Sequence, residues 1–518
     1  MASQSIRKDF CSVEMSDGKP CGRAILPQRA ADDPGYVCLM HSHDYNKDHA
    51  AFERELLSIR DGSSIHNRLK HKFDFQGFVF IRPNFANWSV SSLFGQIEIN
   101  FAGATFGDYA DFSDSSFNCN VEFKGARFGR GSNFENTKFA QRVLFWGALF
   151  AGHTNFGLAS FLKGAEFSHA VFRGEANFAR TVFSDSAVFR GVSFGGSAYF
   201  SASFAMDADF SGATFAESAE FYRVGFSRIV DLRSTDFRKP RDVVFHRVNN
   251  VNQRNLPGMR ARLVGCLLDG IRFEDVNWNR KNSRIYLEDE ADLCGGTRKN
   301  GTKPQADDQP PILTHELVAD AYRRLVNNFE KSRQYVWAEE CFLGEMEMRR
   351  RNPRYFPLAR FDWARNFYAR YSWARRFGEN ITFTGFYRWL SNYGSSYGRA
   401  FGILAAFLIL FALLLPWFGL RMSADLKAQA SGPSTDPGSS EASVISWKCA
   451  MTHPHPFKEL THTFDAGFWD AFEVAAFQRN RTIAPATTGA RRAEIFESIV
   501  MPGQFALLLL AIRRRFRR

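Results

Sequence analysis

Residues 101–150 read FAGATFGDYADFSDSSFNCNVEFKGARFGRGSNFENTKFAQRVLFWGALF. Phenylalanine recurs along this stretch at alternating steps of five and six residues, so the true period is eleven residues. Neither the 3.6-residue period of a helix nor the two-residue alternation of a simple strand fits this spacing. A fixed period sustained over many copies indicates a repeat architecture, in which each unit buries its inner face only by stacking on its neighbours.

The same spacing continues well beyond residue 150, with one residue lost between Phe194 and Phe210, where Phe204 comes one place early. Two eleven-residue units would make one turn with four faces, and one large apolar side chain would point inward from each face. At about 4.8 Å per turn, about six turns would make a rod roughly 30 Å long. The ladder comprises Phe101, Phe106, Phe112, Phe117, Phe123, Phe128, Phe134, Phe139, Phe145, Phe150, Phe156, Phe161, Phe167, Phe172, Phe178, Phe183, Phe189, Phe194, Phe200, Phe204, Phe210, Phe215, Phe221, Phe226, Leu232 and Phe237.

Over residues 75–280 this pattern resembles the pentapeptide-repeat family in its Phe-centred undecamer variety. The resemblance implies a right-handed quadrilateral β-helix. This sequence departs from the commonest family pattern, which has leucine at the centre and strict steps of five, and the difference bears on the corners of the coil. We predict a mainly β protein, in which a solenoid over residues 61–282 is followed by a helical hairpin and a two-helix membrane module. Residues 239–280, where the spacing loosens, would form the terminal cap.

The N-terminal segment, residues 1–60, carries Cys11, Cys21, Cys38 and His41 ahead of a short helix predicted near 47–60. Three thiolates and one imidazole suit tetrahedral Zn²⁺, and four protein ligands make the site structural rather than catalytic. A loop-rich segment this short also needs a staple to fold. The spacing resembles small zinc-knuckle segments. His43 is an alternative fourth ligand.

Two segments connect the solenoid to the rest of the chain. Residues 283–312 are predicted to be a flexible linker, because the runs GGTRKNGTKP at 295–304 and DDQPP at 307–311 contain glycines, prolines and polar residues. Residues 313–352 have the spacing of an amphipathic helical hairpin that turns at 331–334 and resembles a single tetratricopeptide-like unit. Such a pair would cap the solenoid or connect it to a membrane.

Residues 398–518 read as a membrane module with spans near 401–420 and 495–512 and an external loop over 421–494. The first span is an uncharged apolar run long enough to cross a bilayer. Arginines precede it and end the second span, so both termini are expected in the cytoplasm, although four arginines of the external loop weaken this asymmetry. Residues 353–397, with arginines among aromatic residues, are expected to lie along the anionic inner face of the membrane.

Residues 464–477 form a short apolar stretch before the second span, so the plan of span, re-entrant helix and span resembles the channel-like membrane module of some bacterial pentapeptide-repeat proteins. A potassium filter would need a Thr-x-Gly-Tyr-Gly-type ring of carbonyl groups. Residues 478–485 read QRNRTIAP instead, and two arginines there would repel cations. The sequence leaves a degenerate or anion-permeable pore as an alternative hypothesis.

The sequence favours a binding or structural role over an enzymatic one. Phosphate-loop, zinc-protease, serine-hydrolase and kinase motifs are absent from it. The net charge of +12 would suit nucleic acid, but the surplus arginines cluster near the predicted membrane segments and the solenoid is close to neutral. A near-neutral rod does not favour the duplex mimicry that the resemblance to gyrase-protecting family members would suggest. Eight scattered cysteines do not suggest a disulfide scaffold.

Two functions follow as hypotheses. The first is a scaffold anchored in the bacterial inner membrane by two spans, with the solenoid in the cytoplasm available to a protein partner or for self-association. Residues 1–30 lack the apolar core of a signal peptide, which agrees with a cytoplasmic N-terminus. The second is an oligomeric pore in which the solenoid senses or assembles. The lipid bilayer is a partner in both.

Overall fold

The computed structural model describes residues 10–60, 72–81, 83–90, 98–249, 257–295, 313–422, 444–452, 456–475 and 483–516. The chain divides into two compact units, Met1–Met348 and Arg349–Arg518. The first unit contains the solenoid with structure at both of its ends, and the second contains mainly helices.

The predicted solenoid is a parallel β-helix with four faces. In most turns a strand residue pairs with the residue 22 positions later, as Asn100 does with Glu122, which is two eleven-residue units. The first face stacks Lys72–Asp74, Glu98–Asn100, Asn120–Glu122, Val143–Leu144, Ala165–Glu166, Ala187–Val188, Ala208–Asp209, Ile229–Asp231 and Arg260–Arg262. The second stacks Val79–Phe80, Thr105–Phe106, Arg127–Phe128, Leu149–Phe150, Val171–Phe172, Ser193–Phe194, Thr214–Phe215 and Asp236–Phe237.

The third and fourth faces are joined because two strands, Ala176–Phe183 and Ala198–Phe204, run around the corner between them. The third face also contains Ala110–Asp111, Ser132–Asn133, Thr154–Asn155, Ala219–Tyr222, Val243–His246 and Arg272–Glu274. The fourth also contains Ser89–Val90, Ser116–Phe117, Lys138–Phe139, Ser160–Phe161 and Gly225–Phe226.

The solenoid is longer than the predicted six turns. Nine strands on the first face give eight steps, so the rod has about eight turns and a length of about 38 Å at the usual strand spacing. The extra turns come from strands on either side of the regular ladder, at 72–80 and 260–274, where the eleven-residue spacing is lost. Of the solenoid predicted over 61–282, residues 61–71 lie outside the described residues.

The core consists of stacked phenylalanine rings. Phe112 and Phe134, one turn apart on the same face, have ring centroids 4.8 Å apart and planes 2° apart. Rings from adjoining faces meet edge to face, as Phe112 and Phe123 do at 5.8 Å and 86°. Both arrangements are favourable for aromatic pairs, so each ring is held along the rod and across it.

The turn with one residue fewer is shortened at a corner of the coil. Arg180 and Thr181 together face Ala202, because Ala179 pairs with Ser201 and Val182 pairs with Ser203. Arg180 takes the left-handed conformation, with φ of 56°, and the next turn omits this residue. The pairs on either side keep their register, so the change in spacing leaves the stacked core intact.

Three helices cover the C-terminal end of the solenoid: α2 (Glu288–Gly295), α3 (His315–Lys331) and α4 (Tyr335–Arg351). The short helix α1 (His49–Arg60) precedes the first turn. Asn328 of α3 donates to the backbone oxygen of Ile271 at 2.8 Å and accepts from the nitrogen of Gly270 at 3.0 Å. Phe329 packs against Phe273 and Trp278, so α3 closes the open end of the core.

The linker predicted over 283–312 is wrong for its first part. Arg284–Ile285 pairs with Arg280–Lys281, and α2 follows. Glu288 of α2 binds Arg260 at 2.7 Å, and Asp289 accepts from the backbone nitrogen of Leu263 at 2.6 Å. These acidic side chains look like a polar linker in sequence but dock the helix onto the last turn. The rest of the predicted linker, residues 296–312, lies outside the described residues.

The second unit begins with a 3₁₀ turn, Pro353–Tyr355, and three short helices, α5 (Asp362–Arg370), α6 (Ser372–Ile381) and α7 (Phe383–Ser391). Four more helices follow: α8 (Tyr397–Phe418), α9 (Trp447–Thr452), α10 (Pro456–Ala475) and α11 (Thr488–Phe516). Among the described residues, α8 and α11 are long and apolar enough to cross a membrane.

Helices α8, α10 and α11 pack together in the second unit. The side-chain amide of Gln504 donates to the backbone oxygen of Ala400 at 2.9 Å, and the Phe411 ring lies near the Phe496 ring. These two contacts show that α8 and α11 run antiparallel. A Cβ on Gly467 of α10 would collide with the backbone oxygen of Ala412, so α10 approaches α8 closely.

Of the short apolar stretch predicted over 464–477, residues 464–475 belong to the longer α10, which begins at Pro456. The strand Leu420–Met422, at the start of the predicted external loop, pairs antiparallel with Ile483–Pro485 inside that loop, and the pair joins the ends of α8 and α11. Residues 423–443 and 476–482, which include most of the segment compared with a potassium filter, lie outside the described residues.

Candidate metal centre

Short loop segments bring the four predicted ligands together. Cys11 and Arg23 face each other in a small hairpin, in which the Cys11 nitrogen donates to the Arg23 oxygen at 2.7 Å. The nitrogen of Gly22, with φ of 74°, donates to the Cys11 oxygen at 3.1 Å, so the left-handed turn after Cys21 favours glycine. Cys38 and His41 lie on one turn, closed by a bond from the His41 nitrogen to the Cys38 oxygen.

The donor atoms of Cys11, Cys21, Cys38 and His41 all lie within 4.8 Å of one another, and the four side chains are buried. The Cys11 sulfur is 3.5 Å from Nδ1 of His41, and the Cys38 sulfur is 3.2 Å from the same nitrogen. The sulfurs of Cys21 and Cys38 are 3.9 Å apart. A buried cluster of three sulfurs and one nitrogen at these separations could hold a metal ion.

The cluster changes the acidity of its own members. Hydrogen bonds from Cys11 and Cys38 lower the pKa of the Cys21 thiol well below its usual range, while hydrogen bonds with Cys11 and Cys21 raise the pKa of Cys38. Burial alone would lower the pKa of His41, but hydrogen bonds with Cys11 and Cys21 raise it to about 9. The lowered pKa of Cys21 favours the thiolate form, which is the form that binds a cation.

The ligands are also held from outside the cluster. Nε2 of His41 lies 3.1 Å from the backbone oxygen of Gln76, so a proton on Nε2 leaves Nδ1 free to bind an ion. Arg23 donates to the Cys21 sulfur at 3.2 Å and to Glu55 of α1 at 2.8 Å. A guanidinium beside a thiolate offsets part of the negative charge of a three-thiolate site.

His43, the alternative fourth ligand, makes a different contact. Its Nδ1 lies 3.2 Å from Oδ1 of Asp33, and its backbone nitrogen donates to the same oxygen at 2.6 Å. Asp33 also accepts from the Ser42 hydroxyl at 2.9 Å. His43 therefore helps to order the loop after the cluster, and the structure places His41 rather than His43 among the sulfurs.

Comparison with known families finds a match to pentapeptide repeats, in nine copies, over residues 101–149 and 178–225. Both matched segments lie within the four-faced β-helix and its phenylalanine core. The solenoid is a pentapeptide-repeat domain. No curated protein and no solved structure matches the chain.

The cysteine cluster lies against the first turn of the pentapeptide-repeat solenoid. The nitrogen of Val79 donates to the Met40 oxygen at 2.8 Å, and the His41 ring meets the Phe78 ring edge to face at 5.2 Å. Lys47 donates to the backbone oxygens of Leu39, Ser42 and Val79, and burial lowers its pKa to about 8. The cluster thus belongs to a cap over the N-terminal end of the phenylalanine core.

Arg23, Lys47 and Gln76 support the cluster but were not predicted from the sequence. Each acts through a contact with a residue far along the chain or through a backbone atom, as in the 32-residue separation between Lys47 and Val79. Their residue types are ordinary for surface loops, and no spacing marks them. Only the docking of the loops on the first turn identifies them.

Proposed function

We propose that this protein is a membrane-anchored scaffold, in which a capped pentapeptide-repeat solenoid in the bacterial cytoplasm offers its faces to a protein partner or to assembly. The observation that carries the proposal is the presence in one chain of a solenoid covered at both ends and of two antiparallel helices, α8 and α11, with the length and composition of membrane spans. Capped ends block indefinite end-to-end stacking and leave the lateral faces for binding.

The proposed role is not enzymatic. Pentapeptide-repeat solenoids are built from a filled core and flat outer faces, and here the core is packed with phenylalanine rings. The outer faces offer regular rows of side chains, which suit a protein surface more than a small substrate. Near-neutral charge on these faces does not favour nucleic acid as the partner.

Zinc is the proposed metal of the N-terminal cap. With Zn–S bonds of about 2.3 Å, a tetrahedral ion separates two ligand sulfurs by about 3.8 Å. The 3.9 Å between the Cys21 and Cys38 sulfurs agrees with this value. Three thiolates and an imidazole favour Zn²⁺ over harder cations, and four protein ligands indicate a structural ion that stabilises the cap.

The proposed orientation rests on the basic residues at one end of the helix pair. Because α8 and α11 run antiparallel, Arg399 near the start of α8 and the arginines at 513–515 of α11 belong to the same end. Arginine-rich flanks favour the cytoplasmic side. The solenoid, which precedes α8 in the chain, would then be cytoplasmic, and the segment between the two helices would face outward.

Two exposed cysteines allow a direct test of anchoring and orientation. Cys294 follows the solenoid, and Cys449 lies between α8 and α11. We expect the full chain to stay in the membrane pellet after a carbonate wash. A membrane-impermeant maleimide should label Cys449 in intact spheroplasts and should label Cys294 only after lysis. Cys294→Ser and Cys449→Ser variants serve as matched controls for each signal.

Recovery of the chain in the carbonate supernatant would overturn the anchored scaffold. Labelling of Cys294 in intact spheroplasts, with Cys449 protected until lysis, would reverse the orientation and remove the cytoplasmic location of the solenoid.

A second function, an oligomeric pore, is favoured by buried acidic residues in the second unit. Asp470 and Glu473 on α10 and Glu497 on α11 are buried, although these helices pack in an apolar cluster. Ionisable side chains inside membrane helices are costly and commonly mark ion or proton paths. Purified protein in planar bilayers should then conduct, and Glu497→Gln should change that conductance. Silence across salts and voltages would exclude the pore.

A further inference from the structure

Helices α5, α6 and α7 expose most of their aromatic side chains and bury mainly small ones, with Leu390 as the exception. Their buried positions include Ala364, Ala374, Gly378 and Gly385. Their exposed positions include Trp363 at 62% exposure, Trp373 at 63% and Phe383 at 85%. A helix that packs on a soluble core buries its aromatic residues, so this reversed arrangement indicates an apolar environment outside the helices.

The exposed aromatic residues form stripes at helical spacing. On α6, Trp373, Phe377 and Ile381 follow one another at intervals of four residues, and each is more than half exposed. On α7, Phe383 and Phe386 are three residues apart and are both more than half exposed. Residues at these intervals lie on one side of a helix, so each helix presents a continuous apolar stripe.

The same segment is strongly basic. Residues 353–399 contain eight arginines but only two acidic residues, Asp362 and Glu379. Asp362 is paired with Arg365, and Glu379 accepts from Arg350 at 3.1 Å and from Arg375 at 3.4 Å. The segment therefore keeps a net positive charge, which suits an anionic partner.

The position of the segment identifies what that partner is. α7 contacts both α8 and α11, and only residues 392–396 separate the end of α7 from the start of α8. Since Gln504 of α11 lies beside Ala400 of α8, the basic end of α11 is at this same end of the helix pair. An aromatic and basic layer here coincides with the level at which phospholipid headgroups would surround the two spans.

We propose that α5–α7 form an interfacial binding surface for anionic phospholipids, with the aromatic stripes inserted among the acyl-chain ends and the arginines on the headgroup phosphates. The inference rests on the proposed membrane anchoring by α8 and α11. Tryptophan suits this depth because its ring is apolar and its N–H can reach water or headgroups. A second copy of the chain is a poorer occupant, since two net-positive surfaces repel each other.

The test uses the full chain in nanodiscs of phosphatidylcholine alone or with about 30 mol % phosphatidylglycerol, the latter supplying the anionic headgroup. The exposed cysteines are first removed by Cys294→Ser and Cys449→Ser, and a fluorophore is then attached at Trp373→Cys. Nitroxide-labelled lipid quenches this fluorophore on contact, so quenching of its fluorescence reports contact between residue 373 and the lipid. We expect quenching about threefold stronger with phosphatidylglycerol and weaker again in high salt. Tyr109→Cys, an exposed aromatic position on the solenoid, is the matched probe position that should stay unquenched.

Charge is tested with the triple variant Arg365→Gln, Arg370→Gln, Arg376→Gln, which should lose the preference for phosphatidylglycerol. Three exposed solenoid arginines changed in the same way, Arg130→Gln, Arg180→Gln and Arg223→Gln, make the matched control and should keep it. Circular dichroism of each variant checks that the helices persist.

The outcomes separate this inference from the anchoring on which it rests. Equal quenching in both lipids, or none in either while the chain stays in nanodiscs, would overturn the anionic surface and leave the anchoring intact. Failure of the chain to incorporate into either nanodisc would overturn the anchoring itself.

Discussion

At the scale of single residues, the flat shape of the phenylalanine ring explains why this residue occupies the inward positions of the ladder. Rings on the same face stack 4.8 Å apart in the pair Phe161 and Phe183 and 4.7 Å apart in the pair Phe128 and Phe150. These separations match the spacing between neighbouring strands, about 4.8 Å, so flat rings stack without forcing the backbone apart. A branched aliphatic side chain would fill the same position without the face-to-face contact.

The ligand assignment gives the first prediction at this scale. Cys38→Ser should remove bound metal from the purified full chain, because serine does not replace a thiolate as a ligand for Zn²⁺. His43→Ala is the matched control and should keep it, since His43 contacts Asp33 instead. Elemental analysis should find about one zinc per chain for the wild type and His43→Ala. Unchanged zinc in Cys38→Ser, or its loss in His43→Ala, would contradict the ligand set.

At the scale of elements, the two ends of the solenoid are closed by different means. Loops around the cysteine cluster cover the first turn, whereas α2 and the α3–α4 hairpin cover the last. In both cases side chains bind backbone groups that would otherwise have no further strand to pair with. Gln334 adds one more such bond at the C-terminal end, to the Phe273 oxygen at 2.9 Å.

Asn328 on α3 provides the test of this capping. Asn328→Ala removes a donor to Ile271 and an acceptor for Gly270, and it should lower the free energy of unfolding by about 1–3 kcal/mol. Asn327→Ala is the matched control, because it removes the same side-chain atoms from an exposed position of the same helix. It should change the free energy of unfolding little. Thermal or denaturant unfolding of the full chain in detergent would measure both variants. Equal effects of the two substitutions would show that Asn328 has no special capping role.

At the scale of the whole molecule, the solenoid is a stack in which each turn contacts only its neighbours. The stability of such a stack depends on each turn, on its interfaces with neighbouring turns and on the end caps. Loss of one cap should therefore unfold the turns nearest to that end first. The loops around the cysteine cluster cover the first turn, and α2 to α4 cover the last. The two caps therefore protect different turns of the same core.

Metal removal should consequently loosen the solenoid from its N-terminal end. With a strong chelator, hydrogen exchange should rise at Lys72–Asp74 and Val79–Phe80 and stay near its original rate at Val243–His246. The Cys38→Ser variant should show the same gradient without chelator. A uniform rise along all turns, or no rise near residue 80, would contradict a metal-dependent N-terminal cap.

Much of the fold could be predicted because the same spacing of inward-facing phenylalanines recurs in every regular turn. The spacing of phenylalanines predicted the four-faced solenoid, and the early Phe204 located the missing residue. The total number of turns was underestimated because the terminal turns lack the spacing. The linker prediction failed at α2, whose acidic residues pair with arginines of the last turn, and polar composition alone does not distinguish docking from solvation.

The sequence by itself determined the period, the apolar helices and the four candidate metal ligands, since each is a pattern of residues within one segment of the chain. Tertiary structure alone decided that His41 rather than His43 joins the sulfurs, and that Lys47 and Gln76 connect the cluster to the first turn. It also decided that the aromatic residues of α5–α7 face outward. These outcomes depend on distances between segments far apart in sequence, and the energy of such contacts exists only once the chain has folded.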